Sequence, residues 1–208
     1  MQGIYDLDVS HDVNDYLITN QVLANSLDRG TATQDVKEKL LVCQSDDDLL
    51  LSLYLHDGVI ERLREDDPVV QLYHGNLEDF CLALEGISHF LYLVWNASYQ
   101  RSVTIFEMEL QAEIDKFIIV DTYLAQQSRH PPPGQLRQLL FESISFRKDL
   151  PLLELQRYRD ASYYAEKYCW HLESSYLSNG RQQELLKELR RFYRLSKGDK
   201  IRRIDHFH

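Results

Sequence analysis

Leu77-Glu-Asp-Phe-Cys-Leu-Ala-Leu-Glu-Gly-Ile-Ser-His-Phe-Leu-Tyr-Leu-Val-Trp-Asn96 is apolar almost throughout, the main exceptions being Glu78, Asp79, Glu85, Ser88, His89 and Asn96. A run of this length, opened by Asn76 and the acids after it, predicts a long helix over roughly 76–98. Asn96–Arg101 reads as a turn. The next segment, Ser102-Val-Thr-Ile-Phe-Glu-Met-Glu-Leu-Gln-Ala-Glu-Ile-Asp-Lys116, begins a second apolar stripe of Phe106, Leu110, Ile114, Phe117 and Leu124. Its helical spacing predicts a helix over roughly 103–127. A turn near residue 100 folds the two back antiparallel. The expected fold is mainly α, a multi-helix domain around this pair.

Working outward, Val36–Gln44 and Leu49–Leu55 flank the turn signal Ser45-Asp-Asp-Asp48 and predict a small N-terminal β-hairpin, 38–44 against 49–55. The hairpin leaves α+β as the alternative class. Ser10 or Asp12 is expected to cap a helix carrying Val13, Leu17, Ile18, Val22 and Leu23, ended by Asp28-Arg-Gly30. Thr31-Ala-Thr-Gln34 has capping-box form. Asp57–Glu65 reads as a short helix capped by Asp57, with Ile60 and Leu63 inward, stopped by Asp66-Asp-Pro68. His130-Pro-Pro-Pro-Gly134 is the clearest break. Beyond it lie a short helix over 135–144, a long tyrosine-rich helix over 152–177 behind Pro151, a stop at Asn179-Gly180, and an amphipathic helix over 182–195 on Leu185, Leu189 and Phe192. The stripe of the long helix is Leu155, Tyr158, Ala165, Tyr168, Leu172 and Tyr176. Residues 196–208 show no period. One domain over 1–208 is expected, with a rigid joint at 130–134 between lobes 1–129 and 135–208 as the alternative.

Charge is distributed unevenly. Residues 1–80 carry 17 acidic and 5 basic side chains, whereas 181–208 carry 4 acidic and 9 basic. The acidic body argues against nucleic acid as a partner. The basic end, with Arg101, could touch an anion through Arg101, Arg190 and Arg194, or could neutralise the acidic half. Cys43, Cys81 and Cys169 are odd in number, lack zinc-ligand spacing and have apolar neighbours, so buried reduced thiols are expected. The start of the chain has acids where a secretory leader has basic residues, and the apolar run Phe90–Trp95 is far shorter than a membrane span of about 20 residues. A cytoplasmic protein without a membrane partner is the expectation.

Carboxylates and imidazole inside an apolar helix pair cost free energy unless paired. Residues 81, 85 and 89 form one column on a helix. Cys81 and His89 lie about 12 Å apart along the axis, too far for a thiol–imidazole pair that must meet at about 3 Å. Folding the two helices back at residue 100 places His89 beside residue 111, flanked by Glu109 and Glu113. Glu85, His89 and Glu113 are therefore the candidate buried polar cluster, and Glu85, His89, Glu109 and Glu113 a candidate divalent-metal set. The spacing of four departs from the Glu-x-x-His of carboxylate-bridged bundles. The same groups could instead satisfy one another, Glu85 bonding His89 with Ser88, Tyr92, Asn96 or Lys116 completing a structural network, and Glu113 forming an ordinary helix pair with Lys116. In a catalytic reading Glu113 or Glu85 is the base, His89 the acid or orienting partner, and Arg101 the anion contact. There is no Gly-rich phosphate loop, Gly-x-Ser-x-Gly elbow or His-Glu-x-x-His. With no catalytic signature, a non-enzymatic module that binds itself or another protein through its C-terminal helices, without cofactor, is the first expectation. A metal-binding protein or metal-dependent enzyme is the second, and anion or nucleic-acid contact by the tail a third.

Overall fold

Thr104 starts the second long helix because its hydroxyl accepts from the Glu107 amide (3.3 Å) while the Glu107 carboxylate accepts from the Thr104 amide (2.9 Å). The computed structural model describes residues 1–28, 36–44, 49–142 and 151–207, with backbone alone at Gln44 and Glu142. Through them the chain runs α1 (Gln2–Tyr5), β1 (Leu17–Ile18), α2 (Gln21–Leu27), β2 (Glu38–Gln44), β3 (Leu49–Leu55), α3 (Asp57–Glu65), α4 (His74–Ser98), α5 (Ile105–Gln126), α6 (Gln135–Arg137), α7 (Leu152–Ser175), α8 (Gln182–Tyr193) and α9 (Lys197–His206). The architecture is mainly helical, with a three-stranded sheet of order β1-β3-β2.

α4 and α5 run antiparallel: Glu85 meets Lys116, Ser88 meets Asp115 and His89 meets Glu109. α5 lies between α4 and α7, and the sheet covers the other side of α4. α4 is long and apolar enough by composition to cross a membrane. Here Leu84, Phe90, Leu91 and Trp95 are buried instead. The hairpin has the expected strands and register, from Glu38 opposite Leu55 to Gln44 opposite Leu49. Phe106, Leu110, Ile114 and Phe117 are buried along α5, as are Leu185, Leu189 and Phe192 along α8. The connector after the prolines is tied to α7: the Gly134 amide donates to Glu173 (2.8 Å), and the Arg137 guanidinium to Glu173 and Glu166 (2.8 and 2.6 Å).

Four expectations are corrected. The N-terminal helix is broken. Asp12 caps a 3-10 turn, Val13–Tyr16, after which Leu17-Ile18 pairs in parallel with Leu53-Tyr54, and Asn20 caps a separate α2. Val22 is 78 % exposed, so the helical spacing of 13, 17, 18, 22 and 23 was no core face; the open edge of β3 overrides it. At α3 His56 is the cap, its Nδ1 accepting from the Gly58 amide, and Val59 is the buried residue while Ile60 and Leu63 are half-buried. The short helix after the prolines is α-helical only over Gln135–Arg137 and continues as a π turn over Gln138–Glu142. The tail forms α9, capped by Ser196, whose hydroxyl accepts from the Asp199 amide. The expected helix end at Arg29-Gly30, the capping box at Thr31–Gln34, the turn at Ser45–Asp48 and the helix end at Ser143-Ile144 lie outside the described residues.

α9 docks through a lysine. The Lys200 side chain is fully buried, its ammonium 4.7 and 4.8 Å from the ring centres of Tyr92 and Phe192. It donates to Gln111 Oε1 (2.9 Å), and Gln111 Nε2 donates to Asp115 Oδ1 (3.0 Å). Tyr5 and Ser88 hydroxyls also donate to Asp115. Arg190 and Arg194 clamp α1 onto α8 by donating to the carbonyls of Gly3, Ile4, Tyr5 and Asp6, the unsatisfied acceptors of a helix end. Burial pulls the Lys200 ammonium down to about 7, with Glu107 and Asp115 offsetting only part of the effect. Between about pH 7 and the ordinary lysine value of about 10.4 the native state therefore binds fewer protons than the unfolded chain, so the lysine's contribution to stability rises with pH. The melting temperature of Lys200→Met relative to wild type is expected to be highest near neutrality and to decline towards about pH 10. A difference that stays constant across that range would contradict this role.

Candidate metal centre

Three elements build the site. α4 presents Glu85 and His89 one turn apart, α5 presents Glu109, Glu113 and Lys116, and β2 begins at Glu38. Gly86 allows the sheet to approach. A Cβ there would stand 2.7 Å from Leu53 Cδ1 and 3.1 Å from Glu38 Cγ and Oε1.

His89 sits between two carboxylates, Nδ1 3.6 Å from Glu38 Oε1 and Nε2 3.7 Å from Glu109 Oε2, and all three side chains are at least nine-tenths buried. These are ion-pair contacts, longer than hydrogen bonds. His89 Nε2 and Glu38 Oε1 have no hydrogen-bond partner among the described residues. One ligand atom each from Glu85, His89 and Glu109 lie within 4.8 Å of one another. Lys116 occupies the neighbouring position, its ammonium 3.1 Å from Glu85 and 2.7 Å from Glu113.

The electrostatics follow from burial. Desolvation opposes a charged imidazole, but Glu109 and Glu38 outweigh it and hold His89 well above its usual value. Desolvation likewise opposes the Lys116 ammonium, which Glu113 and Glu85 keep well above the lysine range. Burial raises Glu38 and Glu113. At Glu85 burial is outweighed by Lys116 and His89, which bring its carboxyl below the usual value. Four carboxylates thus share two cationic side chains. Burial pushes the Cys81 thiol, one turn before Glu85, up to about 12 against the pull of Lys116, so it is a poor nucleophile at neutral pH. Burial, followed by the charges of Glu109 and Glu85, also raises the phenol of Tyr158 on α7.

Of the four sequence-predicted ligands, Glu85, His89 and Glu109 converge. Glu113 does not join them, because Lys116, one turn later on the same helix, binds it. The direct Glu85–His89 bond of the structural alternative is replaced by the Lys116–Glu85 pair. Asp115 turns to the Tyr5–Ser88–Gln111 network. Glu38 was not identified as a site residue from the sequence. Arg101 lies beyond the end of α4, some 14 Å or more along the axis from His89. It stacks on Trp95 and Tyr99 and donates to the Arg194 carbonyl, remote from the cluster. Arg190 and Arg194 spend donors on backbone carbonyls.

The arrangement can hold a cation. Ligands about 2 Å from a shared ion lie roughly 3–4 Å apart, so a contraction of about 1 Å closes Glu85, His89 and Glu109 onto one. No protein-family model, curated protein or solved structure matches this chain.

Glycine inside a helix costs about 1 kcal/mol relative to alanine. Overpacking at a filled site costs about 1–3 kcal/mol, and Leu53 is only 2 % exposed. Gly86→Ala is therefore expected to lower stability in denaturant unfolding despite the better helix former. A net gain in stability would show that the sheet does not need this approach.

Proposed function

We propose that this protein binds a divalent transition-metal ion through Glu85, His89 and Glu109, with Glu38 from the sheet as a fourth ligand or as the acceptor that orients His89. The observation that carries this reading is His89 Nε2, buried, turned to Glu109 and without a hydrogen-bond partner among the described residues. Coordination at Nε2 takes the place of the proton that Glu109 and Glu38 favour, so metal binding releases that proton, and the coordinate bond gives the buried atom a partner whose lack costs about 1–3 kcal/mol. The excess of carboxylates over cationic side chains supports it further, since a divalent ion neutralises buried negative charge. Imidazole with carboxylates suits zinc, manganese or iron(II). In such a centre Glu38 holds the Nδ1 side of the ring, as outer acceptors do for metal-bound histidine.

A second reading, contact with a second copy or another protein, has support at the N-terminal end. Val22, Leu23 and Leu27 on α2, with Val42 and Leu50 on the hairpin, are exposed apolar side chains. Such positions favour association when they form a patch. A molar mass in solution that falls to the single-chain value in Leu50→Lys supports this reading, and an unchanged mass removes it.

The metal reading is tested by elemental analysis of untagged protein with melting curves before and after chelation. Near-stoichiometric metal is expected, with a loss of about 3 kcal/mol of stabilisation on chelation if the ion had been present at about 100 times its dissociation constant. His89→Ala and Glu85→Gln should lose both the metal and the chelator effect. A metal-free wild-type protein whose melting is indifferent to added Zn2+ and Mn2+ would overturn the proposal.

A further inference from the structure

We infer that Lys116 is the residue that holds the proposed centre to a single metal ion, by occupying with its own ammonium the place a second cation would take; this rests on the metal reading above. Glu85 belongs to two adjoining groups. With His89 and Glu109 it forms the set whose ligand atoms lie within 4.8 Å of one another. With Glu113 it grips Lys116, at 3.1 and 2.7 Å.

The second group has the makings of a cation site in its own right. Glu85 and Glu113 face one another across α4 and α5, both largely buried. Two carboxylates on facing helices are donors suited to manganese. In two-metal centres the ions stand about 3.5–4 Å apart, and Glu85 is positioned as the carboxylate common to both. The chain places a lysine there instead. Its charge is fixed, it cannot be removed by a chelator, and it keeps Glu113 out of the first group.

The consequence is chemical. A centre limited to one ion can polarise one bound group or lower the pKa of one water molecule. It lacks the second ion that two-metal displacement uses to stabilise both attacking and leaving oxygens. Lys116 is in this sense a specificity determinant for nuclearity and a positioning residue for Glu85.

The test uses the full chain and Mn2+ as probe, counting bound ions by equilibrium dialysis and recording their electron paramagnetic resonance spectrum. Wild type is expected to bind one ion per chain with an isolated-ion spectrum. Lys116→Met is expected to bind two, with a spectrum showing exchange coupling between them. Lys116→Met/Glu113→Gln should return to one ion and an isolated spectrum, a readout that a purely structural lysine would not move. If Lys116→Met is unfolded without metal, Mn2+ has to restore the fold with two ions bound. A folded Lys116→Met that still binds one ion, or an unfolded one that Mn2+ does not rescue, would overturn the role of Lys116. A wild-type chain that binds no Mn2+ would remove the centre itself, so the two failures are distinct.

Discussion

Buried negative charge at the α4–α5 seam is the constraint on which the rest of the structure depends. Glu38, Glu85, Glu109 and Glu113 are drawn from one strand and two helices, and His89 and Lys116 are the cationic side chains among them. Isolated buried ions are too costly to persist, so each carboxylate has to find its partner in one arrangement. That requirement sets the register of the two helices, with Glu85 at the level of Lys116 and His89 at the level of Glu109. It also draws the hairpin onto α4, because Glu38 reaches His89 only where Gly86 leaves room for Leu53.

A second buried network closes the fold at its ends. Tyr5 from the start of the chain, Ser88, Gln111 and Asp115 from the helix pair and Lys200 from the last helix share hydrogen bonds. The aromatic rings of Tyr92, Phe192 and Tyr193 surround the lysine and offer its ammonium π faces, which offset part of the desolvation. Arg190 and Arg194 complete the closure through backbone carbonyls of α1. Arg190 and Arg194 therefore serve the N-terminus through its carbonyl groups.

Much of the framework was legible in the sequence because local signals agreed with it. Ser45–Asp48 between Leu40–Cys43 and the apolar Leu49–Leu55 located the hairpin, and the stripe from Phe106 to Phe117 located α5. The misses share a cause. Leu17-Ile18 is a strand only because β3 offers an edge at Leu53-Tyr54, far along the chain, while its local spacing imitates a helix. α9 was hidden because its most buried residue besides Ile204 is Lys200, and lysine is ordinarily read as surface. At the site, the column of Glu85 and His89 and its approach to Glu109 followed from helical geometry and one turn. Glu38 could not be reached that way, since its place depends on a glycine 48 positions later. Glu113 satisfied the helical spacing to Glu109, but Lys116 at the next turn competes for it at closer range.

A centre of this kind turns a costly burial into a binding site. The charges that fix the helix register are those that would hold the ion, so fold and proposed function draw on the same residues. The most direct measurement is an anomalous-scattering map from crystals grown with Zn2+. A metal peak about 2.0–2.2 Å from His89 Nε2 and from carboxylate oxygens of Glu85 and Glu109 is the expected result. An ordered His89 donating hydrogen bonds to Glu38 and Glu109, with no peak between the helices, would contradict it.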